Sequence, residues 1–287
     1  VNGALSATLL IACPDQTGLV ANVTRFLFEN HGNILHLDQH VDAEAGVFFM
    51  RVEWDMAGFT LERAAIAEAF GGQVGKRFNM DWSLHFSDDV ARMALFVSKQ
   101  SHCLYDILGR VQSGEWQVEI PLIVSNHEAL RPVAESFGIP FVVTPVTRDN
   151  KALQEAAQID LLRQHNIDFV VLARYMQIIS DGFVAEFPNR IINIHHSFLP
   201  AFAGAKPYHA AYARGVKLIG ATSHYVTAEL DAGPIIAQDV LPVNHKESVT
   251  DLVRKGQNVE KLVLAEAVWH HLQHRVLVYN NKTVVFA

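Results

Sequence analysis

Two places in the sequence set polar residues where an apolar run stops. In the first, Ile191-Ile192 passes into Asn193-Ile194-His195-His196 and then Ser197-Phe198-Leu199-Pro200. Asn193 and His195 are two residues apart, so on a strand they project from the same face. An amide and an imidazole can both donate hydrogen bonds, and two donors aimed at one point are what a developing oxyanion requires. By the same alternation His196 faces the other way and takes no part. In the second, Leu230-Asp231-Ala232-Gly233-Pro234 sets one carboxylate in a turn-forming loop between apolar runs. Such a carboxylate can orient a water or accept a proton. Each residue also has a plain structural reading, since Asn, His and Asp are common turn formers at strand ends. The 15 histidines raise the question of a metal. However, there is no HExxH, His195, His196, His209 and His224 show no ligand spacing, and Cys13 and Cys103 lack CxxC partners. No metal is expected.

Such groups need a frame. From Met93 onward, apolar strands alternate with helical stretches, the pattern of a parallel sheet covered by helices. Segments 94–97, 118–124, 140–143, 169–173 and Ile191–His195 read as strands. Leu104, Ile107, Leu108 and Val111 mark one face of a helix over 103–111; a second helix ends near Phe137, and a third covers 153–162. In open parallel sheets ligands bind beyond the carboxyl ends of the strands, which is where Asn193 and His195 fall. Segments 217–226 and 235–243 read as longer antiparallel strands around the Asp231 loop. A helix over 248–273 and a hairpin pairing Val276–Tyr279 with 284–286 follow.

Ahead of residue 88 the order differs. Residues 8–12 read as a strand, and Leu19, Val20, Val23, Phe26 and Leu27 as a helix face ended by Gly32. Leu35, Leu37 and Val41 alternate with His36, Asp38 and His40, which predicts a strand with one buried face. Ala45-Gly46 turns the chain into Met50, Val52 and Trp54, set against Arg51 and Glu53. A second helix starts near Thr60 and is closed by Gly71-Gly72. Phe78, Met80, Trp82, Leu84 and Phe86 then alternate with Asn79, Asp81, Ser83 and His85. This βαββαβ order is ferredoxin-like. The expectation is an α/β chain of two domains: 1–87, built on a small ferredoxin-like sheet, and 88–287, built on a mostly parallel Rossmann-like sheet.

Composition excludes several classes. Hydrophobic residues make up 50% and charged ones 18%, a globular balance. The formal charge is −7 with no Lys/Arg block, so nucleic-acid and anionic-membrane surfaces are not expected. No apolar run reaches the ~18 residues of a membrane span. The apolar start lacks basic residues and reads as the run into the first strand, not as a secretion signal. Two unpaired cysteines fit a reducing compartment, and a cytoplasmic location is expected. Walker and GxGxxG loops are missing.

Residues 193–239, NIHHSFLPAFAGAKPYHAAYARGVKLIGATSHYVTAELDAGPIIAQD, resemble the folate-dependent formyltransferase family. Its hallmark is N-I-H followed by S-x-L-P, then a histidine-bearing strand and L-D-x-G-P-I-I. The resemblance spans roughly 93–238 and takes in VLARYMQIIS. It implies that Met176, Gln177, Ile178 and Ile179 hold the pteridine and that His224 supports the site. It implies attack on the formyl carbon of 10-formyltetrahydrofolate, with Asn193 and His195 stabilising the oxyanion and His195 passing a proton to N10. Asp231 would orient or deprotonate the nucleophile. The folate is then a substrate, and no cofactor is implied. Residues 1–87 resemble an ACT domain, with CPDQTGLV matching its P-D-x-x-G turn. This implies an amino-acid effector at Asp15 and Gly18, where a helix N-terminus favours a carboxylate. The alternative is that Asp15 only caps the helix and the domain assembles subunits. Because sheet edges of such domains commonly pair, a homo-oligomer is expected.

Members of that family differ in acceptor. Glycinamide ribonucleotide transformylases lack the front domain and cradle phosphate on a G-x-G-S-N loop after the first strand. Here the same place reads VSKQSHCLYD, with no glycine between Val97 and Gly109. Methionyl-tRNA formyltransferases add a basic tRNA-binding domain, whereas the tail after Asn244 is short and charge-balanced. With HHSFLPAF and VLVYNNKTVVF, the end-to-end resemblance is to the hydrolysing members, the formyltetrahydrofolate deformylases. In these, water replaces the amine and the formate feeds purine synthesis and balances one-carbon pools. Formyl transfer to an amine, or a non-catalytic folate or amino-acid sensor, are the competing readings. A sensor has no need for Asn193, His195 and Asp231 together.

Overall fold

The computed structural model describes residues 5–200 and 207–286. Its contacts form two units: Val1–Asp89 with Gln273–Tyr279 and Val284–Ala287, and Val90–Leu272 with Asn280–Thr283. The sequence places the whole closing hairpin with the second domain, but most of it groups with the first. The reason is apolar burial: Leu277, Tyr279, Val284 and Phe286 pack on Leu10 and Phe49 of the first sheet.

The first unit contains β1 (Ser6–Pro14), α1 (Leu19–Glu29), β2 (Asn33–Asp42), β3 (Val47–Asp55), α2 (Arg63–Phe70) and β4 (Asp81–Phe86). The strands form an antiparallel sheet in the order β2-β3-β1-β4. This is the ferredoxin-like order the sequence predicts. Leu19, Val23, Phe26 and Leu27 of α1 are buried against Leu9, Ile11, Met50, Val52 and Trp54. Burying each such side chain stabilises the fold by about 1.5–3 kcal/mol.

Three local expectations change. β2 is the sheet edge, and Leu35 and Leu37 are exposed, so of the face its alternation marks only Val41 packs on the core. α2 ends at Phe70 with Gly71 as its C-cap, but the chain stays helical through a π turn at Gly71–Gly75. The glycine at 75 serves packing instead, because a Cβ there would lie 2.8 Å from the Trp82 indole nitrogen. Asn79 then takes a left-handed conformation, φ 52°, and delays the start of β4 to Asp81. Phe78 and Met80 still pack on the same core.

The second unit contains β5 (Ala91–Val97), α3 (His102–Gln112), β6 (Val118–Ser125), α4 (Arg131–Ser136), β7 (Phe141–Val143), α5 (Lys151–Gln164), β8 (Phe169–Leu172) and α6 (Asp181–Glu186). It continues with β9 (Ile191–His195), α7 (Pro207–Arg214), β10 (Leu218–Tyr225), β11 (Ile235–Pro242) and α8 (Val249–Leu272). The closing hairpin is β12 (Val276–Tyr279) and β13 (Lys282–Val285). The sheet order is β11-β10-β9-β8-β5-β6-β7. β5 to β9 run parallel, while β10 and β11 are antiparallel to their neighbours. From β5 the chain winds out to β6 and β7, then returns to build β8 and β9 on the other side. This reversal opens a crevice at the carboxyl ends of the strands, where ligands bind in such sheets.

Candidate active site

The end of β9 places Asn193 and His195 on one face, and the β9–β10 pairing sets His224 opposite Asn193. Asn193 Nδ2 lies 3.2 Å from His224 Nε2, and His224 Nδ1 lies 2.9 Å from the Tyr225 carbonyl oxygen. A carbonyl only accepts, so the hydrogen bonds assign the proton to Nδ1 and leave Nε2 to accept from the Asn193 amide. Burial lowers the pKa of His224 and keeps this ring neutral. The second hydrogen of the Asn193 amide remains for a ligand.

Asp231 sits in a left-handed conformation, φ 55°, which Asp adopts more readily than most residues. Gly233 beside it is required by space: a Cβ there would lie 1.8 Å from the Tyr225 carbonyl oxygen. Asn281 Nδ2 donates to the Ala232 carbonyl at 2.8 Å, and the Thr283 hydroxyl donates to the Ile235 carbonyl. The loop so fixed puts Asp231 Oδ2 3.2 Å from His195 Nδ1 and Oδ1 3.9 Å from His224 Nε2. The hydrogen bond from His195 holds the Asp231 carboxyl below its ordinary range, helped by the nearby histidines. His195 Nε2, on the far side of its ring, is buried without a hydrogen-bond partner.

All these groups line one cavity of about 260 Å³. Met176, Gln177, Ile178 and Ile179, in the loop after β8, line it too, with Val226 and Leu230. Met176 and Ile178 are half-exposed apolar side chains, at 50% and 61%. They offer an apolar surface to a flat ring. The loop is braced at its backbone. Met176 N–H donates to Ser98 Oγ at 2.9 Å, Ser98 donates to Asn126 Oδ1 at 2.7 Å, and Ser180 N–H donates to Glu155 Oε1 at 3.0 Å.

The structure therefore gathers Asn193, His195, Asp231, His224 and residues 176–179 at one place. His196 joins them, because β9 ends at His195 and strand alternation stops there. Arg174 also lines the cavity, from a left-handed backbone at φ 65°. Its one sequence signal is a charge directly after an apolar strand. Asp15 and Gly18 belong to the first unit. Gly18, φ 93°, is the N-cap of α1, and no side chain caps that helix, so Asp15 is not a capping residue. Residues 201–206 of the hallmark segment lie outside the described residues.

The formyl transferase family profile matches residues 91–268 and the ACT domain profile matches residues 7–55. The chain belongs to the formyl transferase family. It is 56% identical over 283 residues to a formyltetrahydrofolate deformylase from Synechocystis sp., covering 99% of both chains. The crystal structure of a formyltetrahydrofolate deformylase from Pseudomonas syringae superposes with a TM-score of 0.97 at 47% identity, covering 100% of this chain and 96% of that one. Glycinamide ribonucleotide transformylase 1 from Symbiobacterium toebii reaches a TM-score of 0.66 at 28% identity. That match covers 98% of the transformylase but 71% of this chain.

In the segment after β5, Ser98 and His102 are held by contacts within the fold. Ser98 braces Met176, Lys99 is exposed, and His102 Nε2 donates to Glu260 Oε2 at 2.7 Å. Tyr208 donates to Glu260 Oε1 at 2.6 Å, and Arg174 Nε stands 3.4 Å from Oε2. Burial pushes the Glu260 carboxyl up, but His102, Arg174 and Tyr208 outweigh it and bring it to about 2. The space beside this cluster is about 130 Å³. Ligand pockets for larger molecules run about 300–1,000 Å³.

Proposed function

We infer that the protein hydrolyses 10-formyltetrahydrofolate to formate and tetrahydrofolate. One observation carries the chemistry: an ionised Asp231 paired with His195, whose Nε2 is buried and unpartnered, beside the Asn193 amide in the crevice that residues 176–179 also line. Water adds to the formyl carbon and gives a proton to Asp231. The carbonyl oxygen becomes an oxyanion held by Asn193 Nδ2 and by protonated His195 Nε2. The C–N10 bond then breaks as His195 protonates N10, and the proton on Asp231 resets His195. Formic acid loses its remaining acidic proton to become formate. His224 orients Asn193, and residues 176–179 hold the pteridine. The small space beside Glu260 supports water over an amine ribonucleotide as acceptor. The deciding test offers both acceptors together and follows products by mass. Preferential formylation of glycinamide ribonucleotide over formate release would replace this reading with a transferase.

The reaction as written uses no metal or cofactor. Among the described residues, the one His/Cys/Asp/Glu group at ligand spacing is His102, Cys103 and Glu260. Both Glu260 oxygens are already held there, and burial pushes the Cys103 thiol up. Exhaustive chelation with metal analysis should leave the rate unchanged; loss restored by zinc would refute this. The ACT unit is proposed to bind an amino acid at Asp15–Gly18, where the uncapped start of α1 leaves backbone N–H groups for a carboxylate. Calorimetry against the twenty amino acids tests it, and a ligand without effect on turnover would make the unit an assembly device. The exposed Leu35 and Leu37 on edge strand β2 support a homo-oligomer, which sedimentation would detect. Among the described residues no helix is long and apolar enough to cross a membrane. The proposed setting is the cytoplasm, with formate supplied to purine synthesis.

A further inference from the structure

We propose that the small polar cavity beside the reaction crevice, walled by Arg174, His102, His196, Tyr208 and Glu260, is a binding site for the formate product. The proposal rests on the hydrolase reading. Arg174 and His196 line both cavities, so the two adjoin at these side chains. Formate released next to Asp231 would meet a carboxylate held in its ionised form, and like charges repel strongly in a partly buried site. On the other side of Arg174 the balance is different. The carboxylate there, Glu260, already accepts from His102 and Tyr208 and is neutralised by Arg174.

That cavity also offers buried polar atoms left without a hydrogen bond. His102 Nδ1 is buried without a hydrogen-bond partner, and Arg174 Nε, although 3.4 Å from Glu260 Oε2, makes no hydrogen bond either. Buried polar atoms are rarely left so, and an anion with two acceptor oxygens would satisfy both. Because His102 Nε2 gives its hydrogen to Glu260, Nδ1 donates to an anion only in the doubly protonated ring. Arg174 reaches this position from a left-handed backbone, a conformation that persists only where its surroundings hold it. Size fits as well. Formate has three heavy atoms and needs roughly the space of two waters, ~60 Å³, within a cavity of about 130 Å³. The walls run from buried Glu260 and His196 out to exposed Gln100 and His209, and none of residues 176–179 contributes. Formate therefore has a way out while tetrahydrofolate still occupies the pteridine wall.

The test titrates ¹³C-formate into resting full-length protein, following line broadening, with inorganic phosphate as a second arm. In parallel, formate inhibition of hydrolysis is measured. Formate should bind, and its inhibition should not be competitive with the folate substrate. His102→Gln keeps a donor to Glu260 but removes the second ring nitrogen. It should weaken formate binding at least tenfold, with folate KM and single-turnover rate within threefold of the parent. Arg174→Lys, read for binding alone, should weaken formate similarly and covers the case in which His102→Gln fails to fold. Unchanged formate affinity in the folded variants, inhibition competitive with folate, or tighter binding of phosphate than of formate would overturn the assignment. Binding is read without turnover, so a protein that binds formate but never releases it would refute the hydrolase reading instead.

Discussion

Asn193 and His224 face each other across the β9–β10 pairing, Nδ2 to Nε2 at 3.2 Å, and the direction of that bond is set one residue further on, by the Tyr225 carbonyl. Without the carbonyl, the ring could carry its proton on either nitrogen. With it, Nε2 is an acceptor and the Asn193 amide is turned so that its nitrogen, not its oxygen, faces the ring. An amide turned the other way would present an acceptor to the oxyanion.

His224→Phe should therefore reduce turnover without touching the substrate. It keeps the ring volume and removes the acceptor that orients Asn193. Loss of one oxyanion donor costs about 10²–10³ in rate, and a misoriented donor should cost somewhat less, roughly 10–100-fold. Single-turnover formate release measures this, with folate KM little changed. His224→Gln, whose side-chain oxygen can accept, should recover part of the loss. A Phe variant within threefold of the parent would remove His224 from the mechanism.

Asp231→Asn should retain the fold, since Asn tolerates φ 55° as well as Asp does, and lose about 10²–10⁴ in single-turnover rate. The pairing with His195 also has a pH signature. His195 holds the Asp231 carboxyl below its ordinary value of 3.8. Its contribution to stability is complete above that value and is lost as pH falls through the lower folded one. Denaturant midpoints of the parent and the variant should therefore converge on acidification. A gap that stays constant down to pH 2 would mean that the 3.2 Å contact contributes nothing in solution.

Much of this was legible in the sequence, and what was not has identifiable causes. Alternation located nearly every strand, and residue type at strand ends located Asn193, His195 and Asp231, because periodicity is local. Burial is not local: the apolar face of β2 reads as buried but lies at a sheet edge. The same limit hides Glu260, one carboxylate in the middle of α8 beside Lys261, a pattern typical of a solvated helix face. Its partners Tyr208, His102 and Arg174 come from three other parts of the chain, and only tertiary packing joins them. Positive φ at Arg174 is equally invisible, since nothing in an Arg side chain favours that backbone.

Glu260→Gln tests that hidden cluster through its acid behaviour. The carboxyl is held at about 2 against a usual 4.5. Because the folded value is the lower one, the stabilisation is fully present above pH 4.5 and disappears between there and about pH 2. The amide keeps the shape but leaves Arg174 without its counter-charge. Urea midpoints should show the variant less stable at neutral pH, with the difference shrinking through that window. A pH-independent difference would show that the glutamate acts by shape and not by charge.

Asn281 is expected to act on catalysis without reaching the substrate. Its amide donates to the Ala232 carbonyl at 2.8 Å, next to Asp231, and it sits at φ 59°. Asn281→Gly is therefore the informative change, since glycine accepts that backbone and removes only the amide. A hydrogen bond of this kind contributes about 0.5–1.5 kcal/mol, so a loop held less firmly should lower kcat roughly 2–10-fold and leave folate KM unchanged. The sharper measurement is a double-mutant cycle with Asp231→Asn. If the clamp works by holding the carboxylate against His195, removing it should cost little once the carboxylate is gone. An equal fractional loss in both backgrounds would show that Asn281 stabilises the protein generally and does not position Asp231.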